Sequence, residues 1–177
     1  MELLDILTPD GQLTGQRKAK ALVHRDGDWH LAAHVWLRNS QGELLLQLRS
    51  PRKENDPDRW DISVAGHVSA GEDARTSACR EVAEEIGLAI DAQELMLLFR
   101  LAEARTLNDG TYIDNEWHEV FLLHRDAAAT DLRLQAEEVA AVRWVSPDEL
   151  HALAQAHSPL LVPHWEEYER LLAFLAP

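Results

Sequence analysis

The sequence predicts a mixed α/β (α+β) fold, and three features carry that prediction. Short runs with alternating aliphatic positions, notably residues 30–38 and 116–124, are bounded by turn-forming residues. Residues 73–86 repeat an apolar side chain every four positions (Ala74, Ala78, Val82, Ile86), the stripe of an amphipathic helix that Gly87 ends. A further helix start stands at Ser146-Pro147-Asp148-Glu149, with a capping hydroxyl, a first-turn proline and acids near the dipole's positive end.

In chain order, residues 3–7 and 12–23 flank a turn at Pro9-Asp10-Gly11 and form an expected opening hairpin. A strand over 30–38 turns at 39–42 into a partner strand over 43–49. Residues 50–59 are a polar loop containing Pro51 and Pro57, residues 60–64 a short strand, and residues 65–71 a loop. Beyond the helix, strands are expected over 95–100, 116–124 and 139–145, with a loop at 125–131 and a last amphipathic helix over about 163–174. No repeat or flexible linker divides the sequence, so one domain over residues 1–177 is expected.

Composition narrows the function classes. Of 177 residues, 46% are hydrophobic, and the one cysteine, Cys79, leaves no disulfide framework. Seventeen basic against 31 acidic residues give a net charge of −14, a field that repels nucleic acid. No apolar run is long enough for a bilayer, and the opening MELLDILTPD has acids where a signal peptide needs bases. The expectation is a cytoplasmic protein with a small-molecule partner, no nucleic acid and no membrane; oligomeric state is not legible.

The acids are concentrated where they repel. On the helix, Glu81 lies three residues from Glu84 and four from Glu85, so their carboxylates share one side while Val82 and Ile86 face the core. Like charges at that spacing destabilise a helix by a few tenths of a kcal/mol each. A divalent cation reverses the sign, and hard oxygen donors suit Mg²⁺ or Mn²⁺ held jointly with substrate phosphates. Arg80, four residues before Glu84, is placed to hold a carboxylate.

Gly66, Glu72, Arg80-Glu81, Glu84-Glu85 and Gly87-Leu88, in this spacing and with an aliphatic at Val82, resemble the signature of the Nudix hydrolase family over residues 66–88. The resemblance implies an α/β/α sandwich with a mixed β-sheet and a loop–helix–loop box. It also implies Mg²⁺- or Mn²⁺-assisted cleavage of a nucleoside diphosphate linked to a moiety X. Gly66, Glu81, Glu84 and Glu85 then take metal-site positions, Glu72 shapes the loop, and Arg80 orients the carboxylates. The chemistry agrees: hydrolysing a phosphoanhydride needs charge neutralised on the phosphates and a positioned water.

Outside the box, HLAAHVWLRNSQGELLLQLRS, WDISVAGHVSAGED and IDNEWHEVF are similar to isopentenyl-diphosphate isomerase, a divergent branch of the same family. That likeness implies a second metal site at His24, His30, His67, Asp114 and Glu116, with Glu116 also catalytic, and substrate-phosphate contacts at Lys20, Arg49 and Lys53. Two departures matter. Ala65 stands where the isomerase has its catalytic cysteine, and residues 100–109 offer no counterpart of its tyrosine. Isomerisation needs a proton donor and an acceptor on opposite faces of the alkene, and alanine is neither. The expected function is therefore metal-dependent hydrolysis of a nucleoside di- or triphosphate or related compound. A catalytically silent nucleotide sensor and the isomerase stand as alternatives.

Overall fold

The computed structural model describes residues 2–176. The strands are β1 (Leu3–Leu7), β2 (Leu13–Ala19), β3 (Trp29–Arg38), β4 (Leu44–Arg49), β5 (Trp60–Asp61), β6 (Val64–His67), β7 (Leu95–Leu107), β8 (Tyr112–His124) and β9 (Val139–Val145). The helices are α1 (Lys20–Asp26), α2 (Ala74–Ile86), α3 (Pro147–Gln155) and α4 (Trp165–Leu175). Strand β3 organises the mixed sheet: it runs parallel to β8 from Trp29↔Asn115 to Arg38↔His124 and antiparallel to β6.

Alternation along β3 and β8 decides what each face carries. Ala33, Val35, Leu37, Phe121 and Leu123 pack with Ala78, Val82 and Ile86 of α2. On the opposite face, Trp36, Val120 and Leu122 pack with Leu150 of α3 and with Tyr168 and Leu171 of α4. Helices thus cover both faces, the expected α/β/α layering. Because His30, His34, Glu116 and His118 share the period of Trp36 and Val120, they lie on the α4 face, at the end where the apolar core stops.

Three sequence expectations need correcting. Residues 20–26 are not strand but the short helix α1, which buries Val23 and His24 and ends at Gly27 with φ +72°. Seven residues are too few for a helical period to show against an adjoining strand. The loop expected over 65–71 begins later, since β6 continues through His67 in register with Ala32. Strand β7 runs on from the expected 100 to Leu107, and β8 begins at Tyr112 rather than 116. Among the described residues, no helix is long and apolar enough to cross a membrane.

Candidate active site

Helix α2 begins where the Asp73 side chain accepts the Thr76 N–H at 2.8 Å, and it stops at Gly87 with φ +74°. Between those caps its polar side meets β6. A Cβ at Gly66 would stand 2.3 Å from Glu81 Cδ, so any larger residue there would force the Glu81 side chain to move, and the constraint is one of space rather than of backbone conformation. Arg80 lies 2.6 Å from Glu81 and 3.5 Å from both Glu84 and Glu72, within ion-pair reach of all three carboxylates. Ser77 fixes Glu72 by donating its hydroxyl at 2.6 Å.

Glu85 is buried, with the Gln47 amide donating to it at 3.3 Å. Burial first, and Glu81 next, push its carboxyl up to about 8. Burial raises Glu81 as well, against the opposing Arg80. Two neighbouring carboxyls that resist ionisation form a site where a divalent cation would favour the charged form of both. Glu84 is more exposed, and the three acids do not converge into a compact donor set among the described residues.

The histidines do converge. His24 from α1, His30 from β3, His67 from β6 and Asp114 from β8 place one donor atom each within 4.8 Å of the others. His24 Nδ1 is 3.1 Å from Asp114, while His30 and His67 Nε2 lie 3.3 and 3.2 Å from Glu116 Oε1. Those approaches lack hydrogen-bond geometry: among the described residues, the Nε2 atoms of all three histidines and Asp114 Oδ1 are buried without a well-aligned hydrogen bond. Burying polar atoms unpaired is costly, so this donor set fits a divalent cation with nitrogen and oxygen ligands. Glu116 itself is kept well below the usual carboxylate range: burial opposes ionisation, but His118, His30 and His67 outweigh it.

The box carboxylates line one cleft of about 1000 Å³ together with His67, Asp114 and Glu116 of the second group, and Lys20, Arg49 and Lys53 line it too, while His24 and His30 lie buried behind its wall. Each of these bases already has an acidic partner. Lys20 is 3.2 Å from Glu2, Lys53 pairs with Glu138, and Arg49 is 2.9 Å from buried Asp61. Arg49 also donates twice to the Asn55 carbonyl, at 3.2 and 3.0 Å.

Sequence reasoning missed several neighbours. Arg105, paired with Asp56 at 2.6 Å, and Tyr112, stacked on His24 with centroids 4.2 Å apart, line the cleft. His164 lies between Glu103 at 2.8 Å and Asp61 at 3.4 Å. Inward-facing Glu103, Arg105 and Leu107 alternate along β7, but charged inward positions hide the period from a hydrophobicity reading. Tyr112, Asp114 and Glu116 do alternate on β8, a signal that would have included the tyrosine.

The NUDIX domain model matches residues 28–164. The chain belongs to the Nudix family. This Nudix chain is 41% identical over 167 residues to Nudix hydrolase 3 of Arabidopsis thaliana, covering 92% of itself and 22% of that relative's length. It is 34% identical over 166 residues to an isopentenyl-diphosphate Delta-isomerase of Clavibacter michiganensis, covering 93% of itself and 81% of that protein. A solved protein of Deinococcus radiodurans shares the fold with a TM-score of 0.76 at 24% identity, over 96% of this chain and 98% of that one.

Proposed function

We propose that this Nudix chain is one domain over residues 1–177, with its box at 66–88, that hydrolyses a phosphoanhydride with the aid of Mg²⁺ or Mn²⁺. The substrate is a nucleoside di- or triphosphate, or a nucleoside diphosphate linked to another moiety X. The observation that carries the reading is the placement of half-buried Glu81 beside buried Glu85, both carboxyls raised above their ordinary range, in a cleft that Lys20, Arg49 and Lys53 also line. Relatives named as hydrolases support it, as does the Escherichia coli dihydroneopterin triphosphate pyrophosphohydrolase, which shares the fold with a TM-score of 0.58.

In this reading Glu81, Glu84 and Glu85 would hold a divalent cation once substrate phosphates complete its ligands, and that cation would supply charge neutralisation and an acidified water. Arg80 keeps Glu81 and Glu84 from swinging apart, and the Gly66 backbone leaves room for Glu81. His24, His30, His67 and Asp114, with Glu116, fit a second cation. Lys20 and Lys53 bind the phosphates by exchanging Glu2 and Glu138 for phosphoryl oxygens, and Arg49 adds its contact while keeping its pair with buried Asp61. The isomerase-named relatives give the alternative its weight, and Tyr112 supplies a phenol at the cleft. Ala65, also lining it, still offers no thiol to exchange a proton.

The deciding experiment incubates the purified protein with Mg²⁺ or Mn²⁺ and a nucleotide panel, following phosphate and pyrophosphate release, with isopentenyl diphosphate in a parallel arm. Release from a nucleotide supports the reading. Binding without release favours a sensor, and conversion to dimethylallyl diphosphate favours the isomerase.

A further inference from the structure

Helix α4 sends one carboxylate into the interior of the sheet face that carries the histidine cluster. Glu167 is 1% exposed, and both its oxygens are engaged. The Trp36 indole N–H donates to Oε1 at 2.8 Å, and His34 Nδ1 lies 2.8 Å from Oε2. His118 Nδ1 stands 3.5 Å from that same Oε2, while its Nε2 is 3.1 Å from Glu116 Oε2. Glu116 turns its other oxygen toward His30 and His67. A chain of close contacts therefore runs from α4, through His118, to the donors at the cleft; its loosest link is the 3.5 Å approach of Glu167 to His118 Nδ1, an ion-pair contact rather than a hydrogen bond.

Packing alone does not account for Glu167. Tyr168 and Leu171 already seat α4 in the core, and a buried carboxylate is costly unless surrounding N–H groups compensate it. Those groups here belong to two histidines whose strands also carry the cluster: His34 on β3 with His30, and His118 on β8 with Asp114 and Glu116. The residues that hold a ligating side chain in one rotamer matter to a metal site nearly as much as its ligands.

We propose that Glu167 is a positioning residue for the metal centre: it fixes the His118 ring, and His118 fixes Glu116 with one oxygen facing His30 and His67. The inference rests on reading the histidine cluster as a cation site. His34, His118 and Glu167 are close enough to hold a cation themselves. Each ring there already faces a carboxylate, however, so the three groups are compensated without one.

The test measures Zn²⁺ affinity of the metal-stripped full-length protein at pH 7.5 against a chromophoric chelator, and the visible spectrum of the Co²⁺ form. Glu167→Gln preserves volume but replaces an acceptor oxygen with a donor, so it cannot serve Trp36 and both histidines. The expected result is roughly 10–100-fold weaker binding of the histidine-dependent equivalent, with unchanged stoichiometry at saturation and a shifted Co²⁺ band. Glu167→Asp, which keeps the charge one methylene further back, gives a smaller loss. Leu171→Val, which loosens the same helix without touching the path, keeps wild-type affinity and spectrum. Adding Glu167→Gln to His118→Gln weakens binding no further, since the first residue acts through the second.

Wild-type affinity in Glu167→Gln, an equal loss in Leu171→Val, or additive losses in the double variant would overturn the proposal. Loss of a whole equivalent at saturating Zn²⁺ would overturn it in favour of Glu167 as a ligand. If His24→Ala/His30→Ala/His67→Ala binds Zn²⁺ as wild type does, the cation-site reading itself fails and this inference falls with it.

Discussion

Glu81 passes the backbone of Gly66 so closely that its Cδ occupies space a Cβ there would claim, at 2.3 Å. The contact couples the box helix to β6, and through β6 to His67, the next residue on the same strand. Gly66→Ala must either displace Glu81 or shift the strand. Overpacking of this kind costs about 1–3 kcal/mol of stability. The expected outcome is a lower melting temperature and a hydrolysis rate at least roughly tenfold down. Unchanged turnover and melting would show that Glu81 moves aside without consequence.

Glu81→Gln and Glu85→Gln each retain shape while removing a charge from the proposed metal platform. Each is expected to slow hydrolysis by at least roughly 10²-fold, about 2.7 kcal/mol of barrier. Steady-state rates under saturating substrate and Mg²⁺ check this. Near-wild-type turnover in both variants would remove these residues from the mechanism.

Glu85 also makes metal-free stability depend on pH. Its folded carboxyl titrates near 8 against an ordinary value of 4.5, so between those values the folded chain holds a proton that the unfolded chain has released. Stability from this group is therefore present below about 4.5 and declines as pH rises toward 8. Glu85→Gln, which cannot ionise, should melt increasingly above the wild type from pH 5 to 8 in chelator, by on the order of 1 kcal/mol or more. A constant difference across that range would contradict the burial argument.

The histidine donors and the box carboxylates should separate by pH. Imidazole must be neutral to ligate, so a site at His24, His30 and His67 loses cation as pH falls through about 6. Carboxylates stay ionised there when a cation is bound. Mn²⁺ titrated at pH 7.5 and 5.5 should show one class of site fading, and His24→Ala/His30→Ala/His67→Ala should abolish that class at pH 7.5. Equal stoichiometry in the triple variant would mean that the cluster holds no cation.

The three basic residues should behave differently from one another. Lys20 and Lys53 pair at the surface of the cleft, so Lys20→Met and Lys53→Met should raise KM about tenfold with little change in melting. Arg49→Met leaves Asp61 buried without its guanidinium partner, and breaking such a pair costs about 3–5 kcal/mol. Thermal melts beside KM values distinguish the two classes. Equal stability losses in all three would assign the lysines a structural role instead.

How much was legible follows from the range over which each signal acts. The carboxylate platform lies on one helix, where a period of 3.6 residues fixes which side chains share a side, and its caps at Asp73 and Gly87 are local chemistry. The histidine cluster was reached through resemblance alone, because its donors come from α1, β3, β6 and β8 and no spacing joins them. Helix α1 escaped notice because it is shorter than the pattern needed to announce it, although it carries both Lys20 and His24.

By itself, then, the sequence determined the alternation of strands and helices, the acidic charge and the box, all set by neighbours along the chain. Only the tertiary structure decided that Arg49 is tied to Asp61, that Arg105 and Tyr112 join the cleft, and that Glu167 reaches His34 and His118. Those contacts close when sheet pairing and helix docking bring distant segments together. Burial then sets their electrostatics: in water a glutamate at 167 is an ordinary surface acid, and inside the sandwich it must be matched by the N–H groups the fold delivers.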